Sequence, residues 1–361
     1  MATLLMTGFP GFLGAALLPR LLARDAEQHA VCLVQGKFLA QAQERLRAIE
    51  ADHPDTAGRV TLLVGDITAD GLGIAAEDAP TEQVGEVWHL AAVYDLSVAE
   101  EVAQAVNVVG TANVLRFCAG LPQPPRLHYA STVVVSGRYD GRFMESDLEA
   151  GESFQNHYES TKHEAERLVR AAMADGLPAT IYRPGIVVGD STTGQTQKYD
   201  GPYMVATYLH RQPPGVAFLP SLDPTLTTPL VPRDFVIDAM VALSTHPGAD
   251  GKTYALTDPD PPTNVEVAKI MAGHLHRRIV WLPIPVAALR GALGTVPGAE
   301  KLTGLTAEAL DYFTFPTSYD TTNTQTDLTG TGVTCPRFPD YAGRLLDYMA
   351  QHPEFDATAM V

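Results

Sequence analysis

The sequence predicts an α/β fold, in which a parallel sheet carries helices on both faces and a smaller C-terminal lobe follows. The first observation is that short apolar strands alternate with longer helical patterns over residues 1–185, as in successive βαβ units. The second is a change after Arg183-Pro184, where residues 190–232 become rich in Pro, Gly, Thr and Ser. Apolar and aromatic residues continue through that stretch, so we expect it to form loops and short elements of the second lobe.

The predicted elements follow one another in chain order. Strands are expected at Thr3–Met6, Val31–Val34, Val60–Val64, Glu86–Leu90, Leu127–Ser131 and Ala179–Tyr182. Helices are expected at Phe12–Arg24, Phe38–Ile49 and Val98–Ala119, and around Tyr158. Farther along, the pattern predicts helices at Arg233–Ser244 and Asn264–His276, and strands at Thr253–Leu256 and Ile279–Leu282.

The composition excludes several classes of function. The 361 residues include 25 basic and 42 acidic side chains, and the net charge of −17 argues against nucleic acid or an anionic membrane as a partner. Cys32, Cys118 and Cys335 are widely spaced and form no C-x-x-C motif, so we expect neither a disulfide framework nor a bound metal. We find no apolar stretch of membrane-spanning length and no cationic signal-peptide region, and we therefore expect a cytoplasmic protein.

A glycine-rich turn with the spacing G-x-x-G-x-x-G follows the first strand directly and opens a helix. Gly8, Gly11 and Gly14 leave room for a tight turn, a close approach of a pyrophosphate and close helix–sheet packing. The N–H groups of Phe12, Leu13 and Gly14 begin the helix and are available to phosphates. Together with the βαβ units, the turn predicts a Rossmann-type doubly wound parallel sheet that binds a dinucleotide.

The domain boundaries follow from these patterns. Residues 1–185 are predicted to form the cofactor-binding Rossmann domain. Residues 186–361 are predicted to form mostly the smaller substrate-binding lobe, with about 230–258 returning to the Rossmann domain.

The end of the second strand bears on the choice of cofactor. NAD-binding proteins commonly place Asp or Glu there to bind the ribose 2′-hydroxyl. In this chain Gln35 and Lys37 follow the strand, and the first acid is Glu44. Because Lys37 can pair with a 2′-phosphate and Gln35 can hydrogen-bond to it, NADP(H) is favoured over NAD(H).

The ends of the later strands, and the helix after the fourth, carry further candidates for the site. They are Asp66, Ile67, Leu90, Ala91, Ala92, Asn107, Ser131 and Thr132. The Asp66 carboxylate could accept the adenine amino group, and small residues after the fourth strand let the backbone lie against a cofactor. An Asn in mid-helix is intrinsically unfavourable and often marks a helix distortion or a water site. A hydroxyl at the end of the fifth strand can hydrogen-bond to a substrate carbonyl and polarise it.

Tyr158 and Lys162 lie four residues apart in a helical stretch, so their side chains share one helix face. The chain has six lysines and 13 tyrosines, and this is its single pair with that spacing. A lysine ammonium beside a phenol lowers a phenol pKa that ordinarily lies near ~10. A phenol tuned in this way can donate or accept a proton during hydride chemistry.

The motifs taken together resemble the extended short-chain dehydrogenase/reductase family. They are Thr7-Gly8-x-x-Gly11-x-x-Gly14, Gly65-Asp66-Ile67, His89-Leu90-Ala91-Ala92, Asn107-Val108-x-Gly110-Thr111, Ser131-Thr132, Tyr158-x-x-x-Lys162 and Arg183-Pro184-Gly185. Within that family the chain is most similar to the male-sterility-type branch of fatty acyl-CoA and carrier-protein thioester reductases. That closer similarity is carried by the segments around Glu44-Arg45-Leu46, Tyr158-Glu159 and Gly189-Asp190-Ser191.

The resemblance implies roles for individual residues. Tyr158 takes the place of the catalytic acid or base, and Lys162 that of the group that holds the nicotinamide ribose and tunes Tyr158. Thr132 takes the place of the hydroxyl that polarises the substrate. Contacts to the cofactor are implied for Asn107, Ser131, Tyr158, Lys162, Pro184, Gly185 and Ile186.

The leading hypothesis is an NADPH-dependent reductase that transfers hydride to an acyl thioester or aldehyde, with Tyr158 as proton donor. The substrate would be a small molecule, free or bound to a carrier. One alternative is another enzyme of the same family, acting on a ketone or alcohol or as a nucleotide-sugar epimerase or dehydratase. The missing acid after the second strand disfavours the epimerase. A non-enzymatic cofactor sensor is the least favoured alternative, because sensors tend to lose the Tyr158/Lys162 pair.

Two further expectations concern partners. The resemblance allows a homodimer through the helices that carry Asn107 and Tyr158. Four aromatic residues of the lobe suggest either an apolar or aromatic ligand or the core of the lobe itself; they are Tyr199, Tyr203, Tyr208 and Phe218.

Overall fold

The structure is a computed structural model that describes residues 3–75, 77–78, 80, 84–94, 98–150, 153–295, 310 and 312–353. Its strands are β1 Thr3–Thr7, β2 Ala30–Val34, β3 Val60–Val64, β4 Val84–His89, β5 Arg126–Ala130, β6 Gly141–Phe143, β7 Ala179–Pro184, β8 Ile186–Val188, β9 Val216–Ser221, β10 Leu230–Pro232, β11 Thr253–Leu256, β12 Arg278–Pro285 and β13 Thr317–Tyr319. Its α-helices are α1 Phe12–Leu22, α2 Leu39–Asp52, α3 Glu100–Ala103, α4 Gly110–Gly120, α5 His157–Ala174, α6 Pro202–Arg211, α7 Arg233–Ser244, α8 Asn264–His274, α9 Val286–Thr295, α10 Thr322–Leu328 and α11 Phe338–Gln351.

Seven parallel strands form the main sheet, in the order β11-β7-β5-β4-β1-β2-β3. The direction of winding reverses between β1 and β4, and in doubly wound sheets ligands bind at such a reversal, outside the carboxyl ends of the strands. α1, α2 and α7 pack on one face of the sheet, and α4 and α5 on the other. The prediction of a Rossmann-type α/β fold is therefore confirmed.

Helix α5 shows how the sequence places functional groups against the sheet. Ala165 and Val169, four residues apart, are fully buried with the strands. The same periodicity carries Lys162 and Glu166 to the buried side, with Glu166 four residues after Lys162. The exposed face of the helix carries charged residues such as Glu164.

The helix predicted at Val98–Ala119 is regular only at its ends. α3 and α4 are separated by a π-helical turn at Gln104–Val109, and Asn107 lies inside this turn. The distortion that a mid-helix Asn predicts is thus present. π-helical turns of this kind are frequent at functional sites.

The stretch 190–232 is more regular than we expected, because it contains α6 and β9. Pro202 occupies the first turn of α6, where no hydrogen bond from its nitrogen is needed. Gly201 is the N-cap residue of this helix and has φ 53°. β9 pairs in parallel with β12. Gly201 and Pro202 stand at the start of α6, and Pro220 lies within β9, so the high local density of these two residue types concealed a helix and a strand.

The C-terminal half forms a second core and also contributes to the first. α6, α8 and α11 pack around β9 in a cluster of their own, which includes Tyr199 and Tyr203. β11 instead extends the main sheet beside β7, and α7 packs against α1. None of the helices in the described part of the chain is both long and apolar enough to cross a bilayer.

Candidate active site

A cavity of about 1480 Å³ lies at the carboxyl ends of the central strands, between the main sheet and the lobe. Nearly all of the predicted site residues line it. They are Gly8, Gly11, Phe12, Leu13, Gly14, Gln35, Lys37, Ile67, Leu90, Ala91, Ala92, Ser131, Thr132, Tyr158, Lys162, Pro184, Gly185 and Ile186. Asp66 and Asn107 are predicted residues that do not line this cavity. The four lobe aromatics do not line it either; Tyr199 and Tyr203 are buried in the core of the lobe.

The glycine turn forms a cradle of backbone at one end of the cavity. A Cβ atom on Gly8 would lie 2.8 Å from both Ala91 N and Leu90 C, and one on Gly14 would lie 2.6 Å from Gly8 O. No side chain caps the first turn of α1, which begins at Phe12. Such a helix start, with close backbone around it, fits the pyrophosphate of a dinucleotide.

The residues predicted to bind the adenosine half of the cofactor are partly engaged with one another. The Gln35 amide donates to Asp66 Oδ2 at 3.0 Å, and Asp66 Oδ1 accepts from the N–H and hydroxyl of Thr68, both at 2.8 Å. Burial alone would raise the pKa of Asp66, but these hydrogen bonds and the Lys37 charge hold it below its usual value. Asp66 therefore orients Gln35 from outside the cavity.

Basic side chains that the sequence analysis did not assign reach the cavity. Arg45 on α2 lines it together with Lys37. Arg233 lies over the Phe12 ring, 5.1 Å from its centroid, and is close enough to Arg45 for their charges to interact. Arg45 stands in the Glu44-Arg45-Leu46 segment already noted in the sequence, but nothing local in that segment showed that its side chain faces the cavity.

Thr132 and Tyr158 both lie on the cavity wall, and the Thr132 hydroxyl is close enough to the Tyr158 phenol to influence its pKa. Thr132 comes two residues after the end of β5, and its Oγ1 accepts from Val134 N at 3.4 Å. Burial raises the pKa of Tyr158 to about 12, with the Thr132 hydroxyl opposing that effect. The phenol is thus protonated at neutral pH, as a proton donor must be.

Lys162 is directed at β5. Its Nζ donates to Tyr129 Oη and to the Ala130 carbonyl, each at 2.8 Å. Burial lowers the pKa of Lys162 to about 7, and the charge of Glu166 opposes this. Desolvation of the phenol therefore outweighs the lowering of the Tyr158 pKa that we expected from the ammonium.

Behind the cavity wall lies a buried ion pair that the sequence analysis missed. Glu166 and Arg183 are almost completely buried and form two hydrogen bonds, at 2.6 Å and 3.0 Å. The Ser131 hydroxyl donates to Glu166 Oε2 at 2.6 Å and is thus directed away from the cavity. Burial would raise the pKa of Glu166, but Arg183, Arg170 and Ser131 hold it below its usual value. The i,i+4 spacing of Lys162 and Glu166 was the signal available in the sequence.

Replacing Glu166 by Gln should destabilise the protein by about 3 kcal/mol, because it leaves the Arg183 charge buried without a counter-charge. Urea unfolding at neutral pH measures this difference. Since the folded-state pKa of Glu166 is lowered, its contribution is present at neutral pH and is lost as the pH falls through that pKa. The difference in the free energy of unfolding between wild type and variant should therefore become smaller at acidic pH. Glu164→Gln, on the exposed side of α5, is the matched control and should change stability by less than about 0.5 kcal/mol; an equal effect of both variants would contradict the prediction.

Asn107 holds two parts of the site together without facing the cavity. Its Oδ1 accepts from Val93 N at 2.9 Å, and its Nδ2 donates to Val93 O and to Thr161 Oγ1, both at 3.0 Å. It thereby ties the segment after β4 to the first turns of α5, close to Tyr158. Both N–H groups of its amide are used by these bonds, together with one lone pair of Oδ1.

Comparison with known proteins identifies the family. The NAD-binding family described as male sterility protein matches residues 6–240. The chain belongs to this family. The terminal R domain of the myxalamid PKS-NRPS biosynthetic pathway is 30% identical and superposes with a TM-score of 0.85, covering 99% of this chain and 93% of that domain. These relatives are extended short-chain dehydrogenase/reductases, and this family member is an NAD(P)-dependent oxidoreductase, so the non-enzymatic alternative is wrong.

Curated relatives of this male-sterility-family chain are much longer proteins. The isonitrile lipopeptide synthase of Streptomyces coeruleorubidus is 29% identical over 95% of this chain, which spans 24% of that protein. The nonribosomal peptide synthetase asaC of Aspergillus flavus is 26% identical over 73% of this chain, and the match covers 26% of its length. The family member described here thus spans about a quarter of these two relatives.

Proposed function

We propose that the chain is an NADPH-dependent reductase that transfers hydride to an acyl thioester or aldehyde, with Tyr158 as proton donor. The observation that carries the proposal is that Thr132 and a partly buried, protonated Tyr158 lie together at the wall of a cavity that also contains the glycine cradle. The relatives named as an R domain and as peptide and lipopeptide synthases support a thioester substrate held on a carrier. We place the enzyme in the cytoplasm, since its three cysteines form no disulfide framework.

Three side chains take part in the proposed chemistry, each in a different role. The nicotinamide cofactor supplies the hydride. Thr132 and Tyr158 hydrogen-bond to the substrate carbonyl oxygen, and the Tyr158 proton passes to that oxygen as negative charge develops on it. Lys162 stabilises the phenolate that remains. With a thioester, the product of this step is a hemithioacetal, which collapses to an aldehyde and releases a thiol; a second hydride and proton would give the alcohol.

We propose NADPH over NADH because the basic residues Lys37 and Arg45 line the cavity and because no acidic residue lies between the end of β2 and Glu44. Lys37→Ala and Arg45→Ala should each raise the KM for NADPH about tenfold and leave the KM for NADH nearly unchanged, since each removes a charged partner of the 2′-phosphate. Steady-state kinetics with both cofactors measures this. Lys269→Ala, at an exposed position of α8, is the control. A wild-type preference for NADH would overturn the assignment.

The substrate class is tested by following NADPH consumption against acyl-CoA thioesters, carrier-bound acyl thioesters, aldehydes and ketones. Aldehyde or alcohol formed from a thioester, identified by mass spectrometry, is the expected result. Turnover of ketones alone would contradict the thioester proposal. Release of tightly held NAD(H) on denaturation, with no reductase activity, would instead favour the nucleotide-sugar epimerase alternative.

A further inference from the structure

Tyr129 is a fully buried phenol next to the proposed catalytic lysine, and the chemistry proposed above gives it no part. It lies in β5, two residues before Ser131, and faces α4 and α5. Its oxygen accepts from Lys162 Nζ at 2.8 Å, and the Thr111 hydroxyl on α4 is close enough to influence the pKa of the phenol. The residue is absent from the cavity lining, so any effect on the reaction must pass through Lys162.

The hydrogen bonds beyond Tyr129 determine which groups donate. Thr111 donates its one hydroxyl proton to the Asn107 carbonyl at 2.6 Å, so its oxygen can only accept from other neighbours, among them His89 Nε2 at 3.0 Å. His89 is neutral, because burial lowers its pKa to about 3 and the Lys162 charge lowers it further. Its proton is therefore on Nε2, and Nδ1 accepts from Thr7 Oγ1 at 2.8 Å.

The Tyr129 phenol uses a lone pair to accept from Lys162. The Lys162 ammonium has no lone pair, so the Tyr129 proton cannot be directed to it, and Thr111 Oγ1 is the acceptor near the phenol. Thr7 Oγ1 in turn accepts from Ala91 N at 3.2 Å, so hydrogen bonds run from Thr111 through His89 and Thr7 to the backbone beside the glycine cradle.

We propose that Tyr129 is a positioning residue for Lys162: its phenol and the Ala130 carbonyl aim the ammonium, while Thr111 and His89 orient the phenol. The inference rests on the proposed function, because it assigns Tyr129 a part in that reaction. The two acceptors favour the charged form of a lysine that burial would otherwise neutralise. The ionisable groups around Lys162 on its own helix and on the packed strands are Tyr158, Glu166, Tyr129, His89 and, through Glu166, Arg183.

Tyr129→Phe tests the proposal, because it removes the acceptor and keeps the ring. The Lys162 ammonium is then less stable, its pKa falls, and the alkaline limb of the kcat/KM profile should move to lower pH by about one to two units. Tyr182→Phe is the matched control: Tyr182 is equally buried in the next strand, and its hydroxyl contacts His128 Nδ1 at 3.1 Å. Both variants should lose stability, and only Tyr129→Phe should shift the pH profile.

A second readout needs no substrate. The Lys162 amine can be titrated by NMR in protein labelled with 15N-lysine, with Lys162→Met for assignment, and the chain contains only six lysines. The wild-type midpoint should lie near 7, and that of Tyr129→Phe lower. This titration still decides the inference if the wild type reduces none of the carbonyl substrates, an outcome that would sink only the proposed function.

Thr111 supplies a further test should Tyr129→Phe fail to fold. Thr111→Val removes the acceptor of the Tyr129 proton and should lower the Lys162 midpoint, whereas Thr111→Ser keeps the hydroxyl and should restore the wild-type value. An unchanged midpoint and pH profile in Tyr129→Phe, or in Thr111→Val where that is the folded variant, would overturn the proposal and leave Tyr129 a packing residue.

Discussion

Tyr158→Phe should lower kcat by about 10³-fold, within the range that a general acid contributes. The ring remains and fills the same space beside Thr132, so the dissociation constant for NADPH should change by less than about threefold. Kinetics at saturating NADPH gives the first quantity, and quenching of protein fluorescence by NADPH gives the second. A loss of both turnover and NADPH binding would instead indicate that the variant disturbs the cofactor site.

The pH dependence sharpens this expectation. Because burial raises the pKa of Tyr158 to about 12 and lowers that of Lys162 to about 7, the wild-type activity should fall above neutral pH through loss of the lysine charge, while the phenol remains protonated. Tyr254→Phe is a matched control, since Tyr254 is buried in β11 and donates to Asp327 instead of facing the cavity. It should retain kcat within about twofold. Retained activity in Tyr158→Phe would show that Tyr158 is not the proton donor.

Gly8→Ala should have the second large effect, a loss of at least about 3 kcal/mol in the free energy of unfolding. Gly8 has φ +91°, which a side chain rarely adopts, and the added Cβ would lie 2.8 Å from backbone atoms of Leu90 and Ala91. Relief of that contact requires β1 and the segment after β4 to separate. The cradle at the start of α1 would then open, and NADPH should bind at least tenfold more weakly, about the value of one charged hydrogen bond.

Two control variants distinguish the effect of the positive φ at Gly8 from that of the close contact of the added Cβ. Gly176→Ala has a similar φ of +102° but open space around the new Cβ, so it should cost about 1 kcal/mol and leave NADPH binding unchanged. Gly14→Ala lies in a helix, and its Cβ would meet Gly8 O at 2.6 Å, so it should weaken NADPH binding through contact alone. Urea unfolding and NADPH titration of all three variants give the comparison; equal effects of Gly8→Ala and Gly176→Ala would show that close approach is unimportant.

Much of the fold could be predicted because it depends on short-range pattern. The alternation of strands and helices through residues 1–185, the glycine turn and the irregular turn at Asn107 all depend on residues a few positions apart. α6 and β9 were missed for the same reason, since Gly201-Pro202 and Pro220 resemble a loop when only neighbours in sequence are considered. Gly201 and Pro202 instead start the helix, and the pairing of β9 with the distant β12 makes it a strand.

The site also separates what short-range sequence pattern predicts from what contacts between distant residues decide. The sequence identified residues that line one cavity, but it could not show where several of their polar groups are directed. The Ser131 hydroxyl is bonded to Glu166, and the Gln35 amide is bonded to Asp66. Each of these bonds joins residues more than thirty positions apart. Composition and periodicity contain no information about such pairs.

The sequence by itself determined the glycine cradle, the order of the strands along the chain and the shared helix face of Tyr158 and Lys162, because backbone sterics and the 3.6-residue period act locally. Only the tertiary structure decided what surrounds Lys162. β5 and α5 meet there because the sheet register turns Tyr129 toward the helix, and a slip of one residue would turn it to the opposite face. The neighbours that govern the charge of the lysine are therefore set by packing between elements, which no stretch of the chain encodes alone.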